Sequence, residues 1–145
     1  MNTKTITLLC LGLLSVAALL FVTRDNQTEP QVSQKQISTM NAPDFQKYLE
    51  SESAVIIDVR TPEEFASGHI ENSINIDFYS PEFYARISAL DPTQEYAIYC
   101  RSGNRSSEAL RMMGELNFTK VTELSGGMLA WERNNLKVCS ESLSC

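Results

Sequence analysis

Cys100 stands at the end of an apolar run, Tyr96-Ala-Ile-Tyr99, and is followed by Arg101-Ser-Gly-Asn-Arg-Ser106. A strand that ends on cysteine and gives way to small, polar and basic residues before a helix exposes a thiol among backbone N–H groups. The positive end of the helix and the guanidinium groups of Arg101 and Arg105 favour thiolate over thiol there. Such a sulfur is a nucleophile beside an anion site. Cys100 is therefore the candidate catalytic residue. Arg101, Ser102, Gly103, Asn104, Arg105 and Ser106 are the candidate substrate-binding residues, the small ones mainly through main-chain donors. Gly103 permits a backbone conformation that other residues would strain to reach.

The elements that must position this loop alternate along the chain. Asn41 caps a predicted helix running to about Ser51, with Phe45, Tyr48 and Leu49 on one face. Ala54-Val-Ile-Ile-Asp-Val59 is nearly continuous apolar sequence, as in a strand buried on both faces of a parallel sheet. Thr61-Pro-Glu-Glu64 is a strong helix start: Thr61 can cap, Pro62 suits the first helical position, and Glu64 completes a capping box. That helix stops at Gly68. A brief strand is expected over Ile74–Ile76, and a helix opening at Ser80-Pro81 and closed by Asp91-Pro92. Glu95–Tyr99 is the strand leading into Cys100, and a helix follows from Ser106 to about Leu116. Lys120–Leu124 is a last strand, and Ser125-Gly-Gly127 leads into a helix through Trp131. Strands alternating with helices imply an α/β fold, a mainly parallel central sheet flanked by helices on both faces. In such folds sites lie at the carboxyl ends of strands, where Cys100 falls.

The 145 residues suffice for one ordinary domain, and the first 24 read as something else. Lys4 precedes an apolar run, Ile6 to Val22, and Arg24 opens a polar stretch, the pattern of a signal peptide or N-terminal membrane anchor. Residues 25–36 are polar and read as a linker, 37–138 as the domain, and 139–145 as a C-terminal tail. Without Lys4 and Arg24, 10 basic residues face 18 acidic ones, a net charge of −8. Nucleic acid and anionic membrane surfaces are poor partners for that body. A basic loop on an acidic domain suits a small anion instead. Export leaves three cysteines. Cys139 and Cys145 lie close together, and their disulfide is the leading pairing, which leaves Cys100 as the odd thiol. The alternative joins Cys100 to one tail cysteine.

Asp58-Val-Arg60, Thr61-Pro-Glu-Glu-Phe65, Gly68-His-Ile70, Cys100-Arg-Ser-Gly-Asn-Arg105 and Ser125-Gly-Gly-Met-Leu-Ala-Trp131 together resemble the rhodanese domain, a sulfurtransferase family. They occur in the family's order over roughly residues 37–138. The resemblance implies transfer of a sulfane sulfur from thiosulfate or a similar donor, through a Cys100 persulfide, to cyanide or a thiol or dithiol acceptor. That acceptor could be a redox protein. It implies no cofactor, and nothing in the chain has metal-ligand spacing. The leader resembles that of exported bacterial members, so a periplasmic location is expected, soluble or tethered through residues 1–24. Asp58 and Arg60 are read as structural support near the loop, and His69 as a hydrogen-bonding turn residue.

Two other readings compete. A cysteine phosphatase also uses a cysteine-led anion loop, but with Cys-x5-Arg; Cys100 to Arg105 is one residue shorter and suits a single sulfur atom better. A non-enzymatic module in which Cys100 carries sulfur or senses redox state is the other, and a dithiol mechanism lacks the usual Cys-x-x-Cys.

Overall fold

The computed structural model describes residues 35–140. They form five parallel strands and five helices: β1 (Gln36–Met40), α1 (Ala42–Ser51), β2 (Val55–Asp58), α2 (Pro62–Ser67), β3 (Ile74–Asn75), α3 (Phe83–Ser88), β4 (Glu95–Tyr99), α4 (Asn104–Glu115), β5 (Lys120–Leu124) and α5 (Gly127–Arg133). The sheet order is β1-β5-β4-β2-β3, so β4, the strand that delivers Cys100, is central. This is the expected parallel α/β architecture.

Alternation along the strands divides the core in two. Ile57, Val59, Tyr96, Ile98, Cys100 and Val121 pack with Phe83 and Ile87 of α3 and Ala109 and Met113 of α4. Ala97, Tyr99 and Leu124 pack with Ala42 and Phe45 of α1 and Met128 and Trp131 of α5. Phe45 and Leu124 are fully buried, and each such side chain contributes about 1.5–3 kcal/mol relative to exposure.

The helix starts follow their caps. Asn41 Oδ1 accepts from the Asp44 amide at 3.0 Å, and Thr61 and Glu64 form the reciprocal capping box. Elsewhere the boundaries move. Ser80-Pro81 forms a turn in which Ser80 Oγ accepts from the Glu82 amide at 3.2 Å, and α3 begins only at Phe83. α4 begins two residues earlier than its periodicity suggests, because Gly103 at φ 103° reverses the chain and admits Asn104 to the first turn. Gln36, expected as the last linker residue, opens β1. That edge strand has little apolar pattern of its own; pairing with β5 and a Ser38–Thr122 hydroxyl contact at 3.0 Å hold it.

Among the described residues no helix is long and apolar enough to cross a membrane. Residues 1–24, where a signal or anchor is expected, lie outside them, as do most of the linker and tail.

Candidate active site

β4 ends at Tyr99, and Cys100 is held at the carboxyl edge of the sheet with 1 % of its surface exposed. The chain then turns tightly enough for the Gly103 amide to reach back to Cys100 Sγ at 3.1 Å, with Ser106 Oγ 3.4 Å from the same sulfur. Burial is the largest influence on the thiol and pushes its pKa up. The Ser106 hydroxyl and the backbone N–H groups of Ser106, Ser102 and Gly103 outweigh burial together, so the net shift is below the ordinary value. The thiol expected to be exposed is buried, and the hydrogen bonds of the loop, rather than the two arginines, lower its pKa.

The start of α5 secures the loop from outside. The amides of Met128 and Leu129 donate to the carbonyls of Cys100 (2.8 Å) and Arg101 (3.0 Å). Gly127 makes this approach possible: at φ 56°, a Cβ there would lie 2.3 Å from the Cys100 carbonyl oxygen. Any side chain would push α5 off the loop.

The two arginines have different surroundings. Arg105 makes a two-pronged ion pair with Glu64, Nη1 to Oε2 at 2.7 Å and Nη2 to Oε1 at 3.0 Å, and lies over the Tyr79 ring. It therefore ties α4 to α2. Arg101 is exposed and has no ion-pair partner among the described residues. With Glu64, Met128 and Leu129 it lines an open depression of about 240 Å³. Ser102 and Asn104 are exposed on the loop, and Ser106 is buried beneath it.

Asp58 and Arg60 form a buried pair at the end of β2, with Arg60 Nη2 2.6 Å from Asp58 Oδ2 and 2.5 Å from the Gly68 carbonyl. Neither shares a hydrogen bond with Cys100 or the loop. They brace the α2–β3 connection. His69 stacks on Phe65 with ring centroids 4.0 Å apart, and its backbone pairs with Cys139 in an antiparallel bridge. Cys100 is a free cysteine and Cys139 is disulfide-bonded; Cys145, its expected partner, lies outside the described residues.

Two carboxylates at the site were not singled out from sequence. The sequence marks Glu64 as a helix cap, and the structure shows that it also anchors Arg105. Glu123 of β5 is buried, and its Oε1 accepts from Ser106 Oγ at 2.7 Å. Its signal was available: a charged residue in a strand otherwise patterned for burial.

The rhodanese-like domain family matches residues 41–134. This chain belongs to that family. It is 31% identical over 93 residues to a sulfurtransferase of Allochromatium vinosum, covering 64% of this chain and 85% of that protein. It is 33% identical over 90 residues to the thiosulfate sulfurtransferase GlpE of Pseudomonas aeruginosa, covering 62% of this chain and 80% of the relative. The crystal structure of a rhodanese-related protein from Thermoplasma volcanium superposes with a TM-score of 0.64 at 30% identity, covering 72% of this chain and 99% of that one. The family is one of rhodanese-type sulfurtransferases, and Cys100 with its loop is the element of this rhodanese-like domain equipped for nucleophilic chemistry.

Proposed function

We propose that the protein moves a sulfane sulfur from thiosulfate through a persulfide on Cys100 to a nucleophilic acceptor, cyanide in an assay and a thiol or dithiol in the cell. The observation that supports this best is the sulfur of Cys100, recessed at a strand end and facing the amide of Gly103 and the hydroxyl of Ser106. These donors stabilise negative charge on sulfur without a partner histidine.

The Cys100 thiolate attacks the outer sulfur of thiosulfate. A Cys–S–S⁻ bond forms, the bond between the two sulfurs of thiosulfate breaks, and sulfite leaves with the electron pair. The acceptor then attacks the outer persulfide sulfur and returns Cys100 as thiolate. With cyanide the product is thiocyanate. The anionic persulfide suits the loop amides. Arg101, exposed on the loop, is the guanidinium available to the incoming sulfonate, while Arg105 sets the loop's position through Glu64. That engagement of Arg105, with the Cys-x4-Arg spacing, disfavours a phosphate site.

Export to a periplasm, through residues 1–24, is part of the proposal and places the acceptor among periplasmic thiols. The full chain should form thiocyanate from thiosulfate and cyanide, and Cys100→Ser should abolish it. Equal turnover by Cys100→Ser would refute the assignment.

A further inference from the structure

Ser106 has one hydroxyl hydrogen and three acceptors within reach: Glu123 Oε1 at 2.7 Å, the Gly103 carbonyl at 3.1 Å and Cys100 Sγ at 3.4 Å. It can donate well to only one at a time. The shortest contact is to Glu123, a residue 5% exposed in the layer of β5 that faces α4.

We infer that Glu123 is a positioning residue for Cys100: its carboxylate claims the Ser106 hydrogen, and its ionisation thereby sets how readily the sulfur carries negative charge. While Glu123 is ionised, it competes with Cys100 for the Ser106 hydrogen, and a thiolate keeps only part of that donor. Once Glu123 is protonated, the carboxyl can donate to Ser106 Oγ, and the Ser106 hydrogen turns to the sulfur. The inference rests on the sulfur-transfer reading for its role in turnover, not for its geometry.

The surroundings of Glu123 allow it to behave this way. Its hydrogen-bond partners are hydroxyls, Ser106 on α4 and Thr39 on β1, the latter at 3.3 Å. β1 carries no charged residue. On α4, Arg105 is taken by Glu64, while Glu108, Arg111 and Glu115 are exposed and bonded to one another. Glu95 of β4 lies at the opposite end of the sheet beside Lys120. The charged residues of α1, Asp44, Lys47 and Glu50, are exposed. The titratable group facing Glu123 is Cys100, one hydroxyl away. Burial raises the Glu123 pKa against the lowering effects of Ser106 and Thr39, which moves its titration toward that of the thiol.

The test is the pH dependence of Cys100 alkylation by iodoacetamide in the full chain, followed at the Cys100 peptide by mass. Glu123→Gln, neutral at every pH, should lower the midpoint by about one pH unit, the worth of one hydrogen bond to charged sulfur. An unchanged or higher midpoint overturns the inference. In a Ser106→Ala background the same substitution should move the midpoint less than half as far. An equal shift there would mean direct repulsion and would overturn the role of Ser106. Should Glu123→Gln not fold, Glu123→Leu, matched to the apolar layer, carries the same expected direction. Thiocyanate formation by the unaltered chain separates the two readings. A shifted midpoint without turnover sinks sulfur transfer and keeps Glu123, whereas turnover with an unshifted midpoint sinks Glu123 alone.

Discussion

Two glutamates hold consecutive residues at the start of α4, and they do so by opposite means. Glu64, at the rim, grips Arg105 with both oxygens; Glu123, inside, accepts from Ser106 and Thr39. The Arg105 hydrogen bond, the largest influence, holds the Glu64 pKa below the ordinary range. Burial moves Glu123 the other way. A carboxylate with a cation partner fixes geometry at all working pH values. One with only hydroxyl partners keeps a protonation state that can change, and so can transmit that change to its neighbour.

A third carboxylate, Asp58, gives the largest expected effect. Asp58→Ala leaves Arg60 as a buried charge with the Gly68 carbonyl as the remaining hydrogen-bond partner of its side chain and the Tyr99 ring beneath it, and should lower stability by about 3–5 kcal/mol in urea unfolding. A loss under 1 kcal/mol would mean water reaches Arg60. Glu64→Gln should cost less, about 1–2 kcal/mol for a half-buried charge-assisted pair. It should also slow sulfur transfer by freeing Arg105. Unchanged turnover would show that the Glu64–Arg105 tie does not position the loop.

The pH dependence of stability should separate the two glutamates by sign. Glu64, with its folded pKa lowered, contributes stability above the ordinary value of 4.5 that is lost as pH falls through the folded value. Glu64→Gln should therefore flatten the acid limb. Glu123, with its folded pKa raised, favours the fold most below 4.5 and loses that contribution as pH rises through the folded value. Glu123→Gln should remove that decline. Chemical denaturation between pH 3 and 8 reads both, and slopes of the same sign would break the contrast. The smallest effect is on stability at neutral pH, where Glu123→Gln should stay within about 1 kcal/mol, the amide keeping the hydroxyl contacts.

Much of this arrangement was legible in the chain. The buried parallel strands, the Thr61 capping box and the cysteine loop carry local signals that tertiary structure has no reason to override. β1 was not legible, because an edge strand held by its neighbour needs little apolar pattern of its own. α4 starts before its expected residue because periodicity marks the buried face, whereas Gly103 decides where the helix can begin. At the site, residue types announced the loop but could not announce pairings. Arg105 reads in sequence as a substrate ligand, and no local pattern announces its pairing with Glu64, 41 residues earlier. Glu123 stands where alternation calls for an apolar residue. Such a mismatch marks a group whose purpose is chemical, once Ser106 is seen to join it to Cys100.

Intact mass of the full chain after exposure to thiosulfate tests the central claim most directly. One sulfur atom should be added, located on Cys100, and removed again by cyanide. Absence of any added sulfur with several sulfane donors, while Cys100 is shown to be reduced, would contradict transfer through this residue.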